Sequence, residues 1–159
     1  MAILKRIHPY AGVVGFLTIL AFWTATVAAE LSGSAAAITA VKQAIPWGFF
    51  LLAPALAIAG ASGFLMAGAT SEPSILRKKR RMPFIAANGV LILMPAALYL
   101  SALASRGQFD GVFYGVQGVE LIAGATNLSL MSLNIRDGLR LTGRMSGAPP
   151  VDRGRDAHG

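Results

Sequence analysis

The chain has 159 residues, 55% hydrophobic and only 13% charged, with a net charge of +7. A soluble domain carries about 25% charged residues, so the composition argues against a soluble enzyme and against a disordered tail protein. There is no cysteine, and the two histidines, His8 and His158, lie at opposite ends, which excludes disulfides, thiolate-bound zinc, iron–sulfur clusters, thiol catalysis and a paired-histidine metal site within one chain.

Neither a GxGxxG fingerprint nor a phosphate-binding GxxxxGK[ST] loop occurs. The basic residues fall in short runs beside apolar stretches, a pattern of membrane orientation and not a nucleic-acid footprint. A membrane-crossing helix needs ~20 mainly apolar residues. Four stretches qualify in chain order, at about residues 9–29, 45–69, 83–104 and 112–133. The first three contain no charged residue, and the fourth contains Glu120. An all-α, four-helix transmembrane bundle over residues 1–144 is therefore expected, followed by a disordered cytoplasmic tail at 145–159 rich in Gly and Pro.

The first stretch follows Lys5 and Arg6 and ends at Val27-Ala28-Ala29. That resembles a secretory signal with a cleavage site, but the apolar run of about 20 residues exceeds the usual 7–15, which favours an uncleaved helix. His8 precedes Pro9, which suits the first turn of a helix and would leave His8 at its cap. Between the first two stretches, residues 30–44 read as a Ser- and Ala-rich connection holding Lys42. Pro54 and Pro95 each interrupt a span and should kink it. Of the fourteen Lys and Arg, only Lys42 and Arg106 fall on one side, so the positive-inside rule puts both termini and the loop at 70–82 in the cytoplasm. The cluster Arg77, Lys78, Lys79, Arg80 and Arg81 in that loop can also hold anionic lipid.

The fourth stretch carries the most informative pattern. Gln117, Glu120, Gly124, Asn127, Met131, Asn134 and Gly138 recur at spacings of three and four, which places them on one helix stripe. Polar groups in lipid must face protein, water or a ligand. Glu120 lies about 12 Å along that helix from Val112, where a carboxylate either takes up a proton or finds a partner. It is the candidate proton-handling or ligand-contacting group. Asn88 on the third stretch lies at a depth comparable with Asn127 and should bond to it. His8 is the one candidate axial haem ligand in the bundle, with Met66, Met82 and Met131 near the same membrane face as possible second ligands, or a second copy of His8 in a dimer. Ser62, Ser101, Ser129 and Ser132 have no expected histidine or lysine at matching depth, so a membrane hydrolase is the weakest enzyme reading.

The stretches HPYAGVVGFLTILAFWTATVAAEL, KKRRMPFIAANG and FYGVQGVELIAGATNLSLMSLNIRDGLRLTGR resemble a recurring type of small bacterial four-span membrane protein of unknown function. The resemblance covers residues 7–144 and implies a bacterial inner-membrane location and a four-helix fold. It transfers no catalytic residue. In size and topology the chain also resembles four-helix b-type cytochromes, though it lacks their usual pair of transmembrane histidines. Three functions are expected to compete. The first is a non-catalytic accessory or assembly component, working as a homo-oligomer or within a larger membrane complex. The second is a haem b redox or sensor protein using His8. The third is an oligomeric proton-coupled transporter using Glu120.

Overall fold

The computed structural model describes residues 2–67 and 73–141. The tail at 145–159 and the side chains of Met66, Arg77, Lys78 and Lys79 lie outside the described residues. The described residues form helices α1 (Ala2–Leu31), α2 (Ala35–Ala67), α3 (Pro73–Asn88), α4 (Met94–Ser105) and α5 (Gly111–Leu141), with a π turn at Gly89–Leu93 joining α3 and α4 into one rod. The result is four rods and, among the described residues, no strand.

Three rods are long and apolar enough to cross a membrane: Arg6–Leu31, Ala35–Leu65 and Arg80–Ser105. The rods pack α1 on α2, α2 on α3 and α4, and α5 on α1, α3 and α4. Chain neighbours are therefore adjacent around a square. The diagonals, α1 with α4 and α2 with α5, make no close backbone approach among the described residues. One apolar cluster closes the end at the α1–α2 and α4–α5 turns, around Ile38, Leu100, Leu103 and Phe113. Another joins Ile19, Ile85 and Met131 deeper in the bundle. The outer surface is apolar: Phe50, Leu91 and Ile122 are each more than 70% exposed. A soluble protein rarely presents so continuous an apolar surface, whereas lipid accepts it, so the chain is built as a membrane protein.

Both described turns are set by local chemistry. After α4, Gly107 takes φ +67°, and the N–H groups of Gly107 and Gln108 close back on the carbonyls of Ala104 and Leu103, a Schellman stop. Asp110 then caps α5, its Oδ1 accepting the N–H groups of Val112 and Phe113 at 3.0 Å.

Two expectations change. The connection between α1 and α2 is only residues 32–34, and α2 begins at Ala35, ten residues before the expected span. Ser34 caps that helix through Ala37 N–H at 3.3 Å, and the alanines behind it are the strongest helix formers. Lys42 therefore lies inside the helix and not in a loop. Likewise α1 begins at Ala2, so Pro9 is within the helix and His8 is not its cap. Around Pro95 the rod widens, with Met94 N–H bonding to Gly89 O five residues back. Proline cannot donate, and its ring crowds the preceding turn; the wide turn makes room for it.

Candidate functional site: a charged brace and a polar seam

One face of α5 is buried from end to end. Gln117, Glu120, Asn127, Met131 and Asn134 all lie on it, and it continues to Asp137. Around this face α1, α2 and the α3–α4 rod supply the partners.

The centre is an ion pair that crosses the square. Lys42 Nζ on α2 donates to Glu120 Oε2 on α5, with side-chain exposures of 1% and 11%. Because the α2 and α5 backbones make no close approach among the described residues, the long lysine chain is the polar brace between these diagonal helices. Glu120 is thus a paired carboxylate and not the solitary group that its position in an apolar helix suggests. Lys42, which its neighbours in the sequence assign to the outer loop, is the other half of the pair. Only its i+78 relation to Glu120 in the fold reveals it.

Beside the pair lies a cleft of about 60 Å³ bounded by residues of every rod, among them Phe22 and Trp23 of α1, Phe49 of α2, Leu93 of the π turn and Glu120. Trp23 is fixed there by an Nε1–H bond to Leu121 O at 3.0 Å. Its ring occupies the space a Cβ on Gly124 would need, only 2.9 Å away. Phe22 seats on Gly48 in the same way.

Further along, Asn88 Nδ2 donates to Asn127 Oδ1 and to Ala123 O, both at 2.8 Å. Asn127 Nδ2 returns a bond to Ile85 O at 3.3 Å. This clasp joins α3 to α5 just before the π turn. At the end of the seam Arg81 Nη1 pairs with Asp137 Oδ2 at 2.9 Å, while Arg80 is exposed. Among the described residues, three buried acceptors have no hydrogen-bond partner: Glu30 Oε1, Gln117 Oε1 and Asn134 Oδ1.

A second constellation surrounds His8. Its Nδ1 lies 3.1 Å from Ala59 O and 3.0 Å from Ser62 Oγ. A histidine therefore does stand at the depth of Ser62, contrary to the expectation. The pair is nevertheless not set up as nucleophile and base. A carbonyl only accepts, so Nδ1 carries the proton, and the Ser62 hydroxyl already donates to Ile58 O at 2.5 Å. Across Gly63, whose Cβ would meet His8 Cε1 at 2.9 Å and Met82 Cε at 3.0 Å, the structure brings His8 and Met82 together. Met131 packs instead with Ile19 and Ile85, near Gly15, about two turns of α1 from His8. No group of three metal-binding side chains occurs among the described residues.

No protein family, curated protein or solved structure matches this chain.

Proposed function

We propose that the protein is a four-span integral protein of the bacterial inner membrane, with both termini cytoplasmic. In this reading it acts as a non-catalytic membrane component that holds a small ligand at the centre of its polar seam. The Lys42–Glu120 pair carries the reading. A buried ion pair is often no more stable than apolar residues of the same volume, and in lipid such groups usually serve a ligand or a pathway. Two charges placed beside a cleft thus serve more than packing. α5 is the fourth span in this reading: it turns its polar stripe inward and leaves Val119 and Ile122 exposed. The asymmetry of basic residues supports the orientation, and the exposed Arg80 belongs to a cluster suited to anionic lipid.

Single cysteines test the topology cleanly in a chain that has none. A cysteine replacing Gln108 should react with an impermeant maleimide from the periplasmic side, and one replacing Ser146 only after the inner membrane is permeabilised. Labelling of both from one side would overturn the four-span reading. Native mass spectrometry of the same protein released from its own membrane should show a retained small molecule or partner; a bare monomer would overturn the component reading.

A second reading, a haem b redox or sensor protein, is favoured by one observation. The Nδ1–H of His8 is held by a backbone carbonyl, the orientation that iron- and zinc-ligating histidines commonly share, and Met82 stands beside it. It predicts a Soret band lost in His8→Ala. A colourless protein from haem-replete cells would dismiss it.

A further inference from the structure

We propose that the central cleft binds the protonated head of an alkyl amine, with Glu120 as counter-ion and Lys42 as the tethered cation it displaces. This rests on the reading of the bundle as a ligand-holding membrane component and names the ligand class.

The chemistry of the walls selects a cation. Phe22, Trp23 and Phe49 line the cleft, and aromatic faces attract ammonium groups once water is excluded. The indole N–H of Trp23 is already bonded to Leu121 O, so that donor is not available to an anion. Of the ion pair, the carboxylate is the reachable member: Glu120 borders the cleft, and its side chain keeps 11% exposure against 1% for Lys42. Lys42 takes Oε2, and Oε1 makes no hydrogen bond among the described residues. An anion would meet that carboxylate directly. A neutral alcohol could donate to it but would gain no charge pairing.

Size sets the rest of the ligand. A dry cavity of about 150 Å³ takes a benzene molecule; this one, at about 60 Å³, takes an ammonium and its first carbons. The aromatic walls are only half-buried, so an alkyl tail can continue outward into lipid.

The displaced lysine also has a seat. Gln117 lies one turn along the same stripe of α5, is only 3% exposed, and its Oε1 lacks a donor. An unfilled buried acceptor is costly. A Lys42 ammonium that swings from Glu120 to Gln117 gives that oxygen a donor and keeps a hydrogen bond, but it gives up its counter-ion, a cost that the incoming amine must offset.

The test uses Trp23 as reporter. The chain has two tryptophans, and Trp47→Phe leaves Trp23 alone in the cleft. The protein in lipid nanodiscs is titrated with n-decylammonium and, separately, with n-decanol at equal mole fraction in the lipid. The amine should shift Trp23 emission saturably and the alcohol should not. Removing the tethered competitor by Lys42→Met should tighten amine binding about tenfold or more, because the competent state is no longer pre-occupied. Lys42→Met combined with Glu120→Gln should abolish it while circular dichroism and gel filtration show a folded bundle. Equal responses to amine and alcohol, meaning partition into the bilayer only, overturn the proposal. So does Lys42→Met binding that is unchanged or weaker in a folded protein. If cysteine labelling reports four spans and the amine still gives no response, this inference fails and the topology stands.

Discussion

Splitting the Lys42–Glu120 pair should damage the bundle unequally from its two sides. Removing one member of a buried pair costs ~3–5 kcal/mol, whereas replacing both with apolar residues of similar volume is often neutral or stabilising. Lys42 is only 1% exposed, so Glu120→Leu strands an ammonium in the bundle centre, with Gln117 as the nearest acceptor along the α5 stripe. That variant belongs at the upper end, about 5 kcal/mol. Lys42→Met strands a carboxylate that borders the cleft and keeps 11% side-chain exposure, which places it near ~3 kcal/mol. The double variant Lys42→Met/Glu120→Leu should lie within about 1 kcal/mol of the parent. The coupling energy is then several kcal/mol, well beyond the ~0.5 kcal/mol scatter of independent sites. Equilibrium unfolding in mixed micelles, followed by circular dichroism, supplies the four corners of the cycle. Additive costs, or a worse outcome for Lys42→Met than for Glu120→Leu, would refute the reasoning.

Other expectations concern the packing and the turns. Gly48→Ala drives a methyl into the ring of Phe22 and should cost about 1–3 kcal/mol in the same unfolding assay, while Gly12→Ala, with nothing within 4 Å, should be neutral or slightly stabilising. Asn127→Leu removes a fully buried member of the clasp on Asn88 and should cost ~1–2 kcal/mol, the upper range for such bonds between membrane helices. Asp110, outside the apolar spans, is held below its ordinary value of 3.8 by the Gln108 side-chain amide and then by the N–H groups of Phe113 and Val112. Its stabilising contribution is therefore present above pH ~4 and is lost as pH falls through the lowered value. Thermal melts across roughly pH 3–7 should show that slope in the parent and not in Asp110→Asn.

What the sequence made readable was whatever repeats at helical spacing. The apolar stretches, the stripe on α5 and the match in depth of Asn88 and Asn127 are all local patterns, and each has its counterpart in the packed rods. The start of α2 was not readable in the same way, because Ser34 to Ala44 mixes small and polar residues that suit a loop as well as a helix. Only the Ser34 cap and the cover over Lys42 decide it. Charge misled for a similar reason. A lone lysine between apolar stretches normally marks a water-facing edge, and its cancellation by a residue 78 positions later is invisible to any window. The contact of His8 with Ser62, 54 residues apart, is hidden likewise. So are the seats of Phe22 on Gly48 and Trp23 on Gly124, which need the relative rotation of neighbouring rods.

The diagonal brace also dictates an order of assembly. The ribosome delivers Lys42 with α2, 78 residues before its counter-ion on α5. Until then α2 carries an uncompensated ammonium seven residues from its first residue, on a flexible stem that lets the charge seek water. Docking of α5 brings Glu120 to that ammonium and completes a charge balance left open while α3 and α4 are made. A chain cut short before Glu120 would keep its lysine unpaired and lack the cross-link between diagonal rods.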